Sequence, residues 1–333
     1  MMRLRLLESP ARAAGLFQCQ AGALEEDWRM DVLGLGAVSV DDVVELDEFP
    51  LPGSKVRVLF RERRPGGLTL GALVAARRMG ASAAYAGMLG SDEASRFVGS
   101  FLQDEGVDTS QAVRREDAGP SESVILLVKG DRTVLSHAPR QRGASADGPP
   151  EDYIRQARVL LVDHTGIEGQ IRAARIARQA GIPVVGDIER LDEPGAGELL
   201  ELVDHLIVPL RLSRELTGAD DAAEAVLRLA AGRAAAVVTC GAEGCWYAAG
   251  SEPVRVRQFP AFRVPAVDST GCGDCFHGAY GALLASGANL EERIRTASAC
   301  AALKASRRGG PAAFPRAAEV RSFLTGQDAC PGS

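Results

Sequence analysis

The stretch DSTGCGDCF at 268–276 sets Gly271, Cys272 and Gly273 directly before an acid, Asp274, and then runs into a segment of helical character, FHGAYGALLASG. The first turn of a helix leaves backbone N–H groups without intrahelical partners, at the positive end of the helix dipole. Glycines there let a phosphate approach those amides, so the stretch reads as an anion site. A carboxylate in the same turn sits beside the phosphate and can accept a proton. Phosphoryl transfer asks for little more: donors around the moving group, Mg²⁺, and a base near the attacking hydroxyl. The stretch also fits a plainer role, a helix start whose acid offsets the dipole. No Ser-His-Asp order or His-Glu-x-x-His motif offers a competing chemistry.

Such a turn needs a strand before it and a layer of helices around it. Strand-like runs at 31–40, 82–89, 157–164, 182–188, 205–209 and 234–240 alternate with helical patterns at 70–80, 92–106, 169–181 and 222–232. Apolar runs buried on both faces and separated by helices predict an α/β fold, a doubly wound, mostly parallel sheet flanked by helices. Two regions break the alternation, KVRVLFRERR (55–64) and SESVILLVKGDRTVLSH (121–137), the latter a hairpin around Gly130 and Asp131. They predict a small β-sheet lid with strands at about 40–64 and 120–137. Residues 273–325 are expected to be almost wholly helical, with Asn289 and Pro315 at caps or boundaries. The main domain is set at 30–325, after an extension (1–29) that lacks the continuous apolar core of a secretory signal and before a tail (326–333).

Composition narrows the partners. The 333 residues carry a formal net charge of −6, with acids and bases interspersed, which argues against nucleic acid or a polybasic membrane contact. No apolar run reaches the ~18 to 20 residues that span a bilayer, so a small-molecule ligand is expected. Seven cysteines without framework spacing point to a reducing, cytoplasmic setting. Cys240, Cys245, Cys272 and Cys275 form two close pairs that could hold zinc, but the first pair also reads as core positions of a strand-turn-strand unit. Gly34, Gly36 and Ser39 faintly follow the dinucleotide fingerprint, yet the chain after them stays β-rich where that fingerprint needs a helix. His164 falls at a strand end, on the edge where doubly wound sheets bind ligands. His277, one turn into the helix after 273, is expected to pack.

DSTGCGDCFHGA resembles the signature of the ribokinase-like (PfkB) carbohydrate kinase family, usually D-T-x-G-A-G-D-x-F, and chain order agrees over roughly 31–325. The resemblance implies that Asp274 is the general base and that the amides of Gly271, Cys272 and Gly273 form the anion hole. Asp41 in DDVVELDEFPLPG lines up with the acid that grips sugar hydroxyls, with Asp42 as the alternative reader, and PGGLTLGALVAARRMG with the diglycine motif, here Gly66 and Gly67. VTCGAEG (238–244) is similar to the family's nucleotide strand and turn. Thr239, Gly241 and Gly244 would therefore meet ATP, with adenine bordered by Ala297, Ala301 and Gly309. Mg²⁺ is implied and a monovalent cation left open.

The departures are specific. Gly71 stands on the sugar side where the family has Asn, and VPLRLSRELTG (208–218) lacks the N-x-x-E motif, Glu215 being the nearest acid and out of register. The C-terminal part most resembles the bacterial sugar-kinase subgroup that includes sulfofructose kinase. For an anionic substrate, Lys55, Arg63, Arg64, Arg140 and Arg142 in or near the lid would be the readers; otherwise they form a solvated face. The expected activity is ATP-dependent transfer of the γ-phosphate to a hydroxyl of a sugar or sugar acid. The alternatives are a catalytically silent binder of the same fold or a nucleoside kinase. Lid strand edges suggest a homodimer.

Overall fold

A computed structural model describes residues 30–129, 131–251 and 253–328; the extension 1–29, Gly130, Glu252 and the last five residues lie outside the described residues. The chain starts with β1 (Met30–Gly34), passes through β2 (Ser39–Leu46) and β3 (Val58–Gly66), and enters helix α1 (Leu68–Arg78). Next come β4 (Ala83–Tyr85), β5 (Met88–Leu89), α2 (Glu93–Asp104), β6 (Val113–Arg114), β7 (Ser121–Val128) and β8 (Asp131–His137). The middle of the chain supplies α3 (Glu151–Ile154), β9 (Ala157–Asp163), α4 (Ile167–Gln179), β10 (Val184–Asp187) and α5 (Ala196–Leu202). It continues through β11 (His205–Pro209), α6 (Leu210–Thr217), α7 (Ala222–Ala230) and β12 (Ala235–Thr239). The last elements are β13 (Cys245–Ala249), β14 (Arg257–Phe259), α8 (Cys272–Ala285), α9 (Leu290–Ala305) and α10 (Ala317–Asp328).

Eight strands form the main sheet in the order β14-β13-β12-β11-β10-β9-β1-β4, parallel from β12 to β4 and antiparallel at β13 and β14. Successive strand residues divide between two cores. Val159 and Leu161 of β9 pack with α1, α8 and α9, whereas Leu160 and Val162 pack with α4 and its neighbours. That two-sided burial is why these strands read as continuous apolar runs. The chain leaves β1 toward β4 on one side and later lays β9 on the other, so the strand order reverses beside β1, where doubly wound sheets open a crevice at the carboxyl ends of their strands.

The run expected as one strand at 31–40 is two. After β1 the buried Asp163, at the end of β9, accepts the Ala37 amide at 2.6 Å and turns the chain out into β2. The same carboxylate accepts from Thr69 Oγ1 (2.8 Å), the Thr165 amide (2.7 Å) and Gln170 Nε2 (3.2 Å). It thereby ties together the loop after β1, the start of α1 and the loop after β9.

The second sheet is the lid, in the order β3-β2-β7-β8. Its register puts Arg64, Asp41, Ser123 and Ser136 side by side across the four strands, and the next rung, Arg63, Asp42, Val124 and Leu135, on the other face.

Helices α1 and α8 cross closely. A Cβ built on Gly278 would lie 2.0 Å from the Ala72 carbonyl oxygen, nearer than any side chain can come. Gly278→Ala is therefore expected to destabilise the fold by about 2 to 3 kcal/mol through overpacking, read as a lowered urea midpoint with an unchanged m-value.

Candidate active site

Helix α8 is started by Gly271, which has φ 79°, a left-handed conformation that costs a residue with a Cβ but not glycine. Among the described residues the amides of Gly271 and Gly273 have no acceptor, whereas that of Cys272 donates to the Ser269 carbonyl at 3.2 Å. The Cys272 thiol donates to the Ala301 carbonyl at 3.5 Å, and burial pushes it up to about 11, so it packs as a neutral group.

The loop before the helix is fixed from below. Asp268 accepts from the Thr270 amide (2.9 Å) and the Gly309 amide (3.3 Å). The fully buried Lys304 donates to the Asp268 carbonyl (2.9 Å) and stands 3.6 Å from its carboxylate. Burial alone would raise Asp268, but the Thr270 amide and the Lys304 ammonium outweigh it and hold the carboxyl below its ordinary value.

Asp274 lies in the first turn of α8, against α1. A Cβ built on Gly71 would fall 2.6 Å from Asp274 Cβ. Gly71 therefore packs against Asp274 at the helix crossing, where a larger side chain would press on the acid. Burial raises the Asp274 carboxyl well above the ordinary carboxylate range, and Asp187 and Glu189 push it the same way against the opposing pull of His277. Asp187, buried at the end of β10, is also raised well above its usual value by burial, and its Oδ2 has no hydrogen-bond partner among the described residues. His277 is buried between the Gly273 carbonyl (2.8 Å) and the Ile207 carbonyl (3.2 Å), with Asp187 3.4 Å from Nδ1; burial lowers it.

Asp274 and Gly271 share one cavity of about 350 Å³ with Gly66, Gly67 and Asp41. Asp41 is raised by burial, an effect partly offset by the Ser39 hydroxyl and by Arg64. Asp42 turns to the other face of the lid and stands 3.6 Å from Arg61, so of the two neighbouring acids Asp41 faces the cavity. His164 also lines it, and its Nδ1 has no partner among the described residues.

The residues expected around a nucleotide serve unequal roles. Thr239 ends β12 and donates weakly to the Val208 carbonyl at 3.5 Å, and Gly241 opens the turn that follows. Gly244 is spent on backbone packing, because a Cβ there would lie 2.1 Å from the Phe259 oxygen. Ala297 is fully buried in the core, Ala301 is half-buried, and Gly309 sits beside Asp268. Glu215 faces solvent on α6 and stands 3.8 Å from Arg211. In the lid, Arg63 stands near Glu93 and Glu122 (3.6 and 3.7 Å), and Lys55 and Arg140 are exposed. Of the paired cysteines, Cys245 is a core residue whose thiol burial pushes up to about 12.

Sequence reasoning passed over Asp187, Lys304 and Asp163. Asp187 and Asp163 each end an apolar run at the ligand edge of the sheet, and Lys304 is the one cation inside the apolar helix stretch TASACAALKA; those were the available signals.

A profile described as pfkB family carbohydrate kinase matches residues 31–316. The ribokinase of Haemophilus influenzae is 29% identical over 311 residues, covering 87% of this chain and 97% of its own. A probable fructokinase of Arabidopsis thaliana is 29% identical over 297 residues, covering 79% and 88%. The structure of Arabidopsis thaliana ribokinase complexed with ribose and ATP superposes with a TM-score of 0.77 at 21% identity, covering 89% of this chain and 98% of that one.

Lys304→Met should cost about 3 kcal/mol, the usual penalty for removing one partner of a buried pair. Chemical denaturation measures that loss, and increased hydrogen exchange at 268–273 would locate it.

Proposed function

Because the chain belongs to the pfkB family of carbohydrate kinases, we propose that its cleft transfers the γ-phosphoryl group of ATP to a hydroxyl of a sugar or sugar acid. One observation carries this reading: Asp274 borders the same cavity as Asp41 and Gly271, so a base, a hydroxyl acceptor and unoccupied helix-start amides face one space. The acceptor's hydroxyl oxygen attacks the terminal phosphorus, its proton passes to the Asp274 carboxylate, and ADP departs with the bridging electrons. The amides of Gly271 and Gly273 meet the charge that develops on the phosphoryl oxygens, while Cys272 keeps the turn seated. Asp41 holds the acceptor through charge-assisted hydrogen bonds, and Gly66 and Gly67 let it lie against backbone.

Mg²⁺ fits the acids at the end of β10. Oδ2 of Asp187, which has no hydrogen-bond partner among the described residues and only the His277 ring 3.4 Å away, would with Glu189 nearby hold the ion through its water shell, and the ion would neutralise charge on the nucleotide phosphates. Thr239, Gly241, Ala301 and Gly309 would border the nucleotide. Adding K⁺ or Na⁺ to the same assays tests a monovalent-cation requirement.

A homodimer through the lid is supported by its outward face, where Val124 and Leu135 are 38% and 56% exposed. A cytoplasmic setting is supported by five free cysteines among the described residues. No helix among the described residues is long and apolar enough to cross a membrane.

The missing Asn and Glu of α6 favour one second reading, a silent sugar and nucleotide binder. Acceptor-dependent ADP release separates the two. Wild type is expected to turn over, and Asp274→Asn to lose about 10²- to 10⁴-fold in kcat with both ligands still bound; binding without turnover in wild type would establish the silent protein. The base must be ionised and its carboxyl is raised, so activity is present above that raised value and lost as pH falls through it. The acid limb of kcat/KM, which reports the free enzyme, should therefore lie above the ordinary carboxylate range.

A further inference from the structure

The walls of the sugar cavity are unequally satisfied. Three arginines line it, Arg64, Arg142 and Arg190. Arg142 stands 3.5 Å from Glu193 and donates to the Pro139 carbonyl at 3.1 Å, and Arg190 stands 3.4 Å from Asp192. Arg64 differs. It is 8% exposed, and its nearest acid among the described residues is Asp268 at 3.9 Å, beyond hydrogen-bond reach. That acid is already taken up by Lys304 and the amides of Thr270 and Gly309.

A guanidinium carries five donors and no acceptor and stays charged. Held at a cavity wall with no hydrogen-bonded acid, and balanced only at a distance by Asp268 and Asp41, it keeps donors free for something that enters the cavity. A neutral polyol would offer those donors only hydroxyl oxygens, whereas a carboxylate, sulfonate or phosphate accepts two parallel hydrogen bonds from the fork.

Arg64 stands in the lid rung beside Asp41, Ser123 and Ser136, all facing the cavity. A ligand laid along that rung meets a cation at one end and hydroxyl-reading groups beside it. The cavity also receives the unpartnered Nδ1 of His164, a residue 7% exposed, which suits a further hydroxyl.

We infer that the acceptor is an anionic sugar, carrying a carboxylate, sulfonate or phosphate as well as its hydroxyls, and that Arg64 reads the charge. The inference deepens the kinase reading and rests on it for the transfer step, but the binding it describes is measurable without turnover.

Calorimetric titration of the full chain with gluconate, galacturonate, fructose 6-phosphate and a C6 sulfonate of fructose, each beside glucitol, galactose or fructose as its neutral counterpart, tests it. One acid should bind about 30-fold or more tightly than its neutral partner, with an affinity that weakens as salt rises. Arg64→Met should abolish that preference and Arg64→Lys restore part of it, in variants whose circular dichroism and thermal midpoints match wild type. The proposal fails if neutral sugars bind as well as every acid, or if Arg64→Met weakens a non-hydrolysable ATP analogue rather than the acid. Tight, Arg64-dependent binding of an acid with no phosphorylation of any acceptor would sustain the anion site and overturn the kinase reading. Preferential phosphorylation of neutral sugars would do the reverse.

Discussion

The close crossing of α1 and α8 is the constraint on which the cleft depends. The two helices arrive from opposite ends of the chain, α1 directly from the lid and α8 from the loop with the helix-start amides. Gly278 lets α8 lie on the Ala72 carbonyl, and Gly71 lets the Asp274 side chain sit on α1. Dense packing leaves no room for either glycine to become larger without shifting a backbone or a carboxylate. What this contact secures is distance: Gly66 and Gly67, just before α1, and Gly271 and Asp274, at the start of α8, border one cavity.

Electrostatics then act on a fixed frame. Asp163 spends its charge on four donors and shows how a buried carboxylate becomes structural, binding two loops and the start of α1 at the sheet edge. Asp268 is similar, paired to a buried lysine and two amides. Asp274 and Asp187 are the opposite case. They are enclosed with few compensating donors, and burial raises both. Acids kept short of partners cost stability, and a carboxyl with a raised affinity for protons suits a group that has to take one.

Much of this was legible in the sequence for physical reasons. Parallel strands are buried on both faces, so their apolar runs stand out. Glycine next to an acid at a helix start is a local signal, and Gly271 and Asp274 occupy the positions the spacing implied. What local pattern could not carry was pairing between distant segments. The neighbour of Gly71, Asp274, lies 203 positions along the chain. Lys304 was passed over, and its burial against the 268–270 loop follows only from how α9 ends beneath that loop. The choice between Asp41 and Asp42 also waited on strand register, since a shift of one residue exchanges the two faces of the lid.

The central claim is that one aspartate serves a proton and a phosphate from the same helix start. A crystal structure with a non-hydrolysable ATP analogue and a bound acceptor tests it most directly. The account predicts the terminal phosphate on the amides of Gly271 and Gly273, and an acceptor hydroxyl within about 3 Å of an Asp274 carboxylate oxygen. A terminal phosphate more than about 10 Å from Asp274 would contradict it.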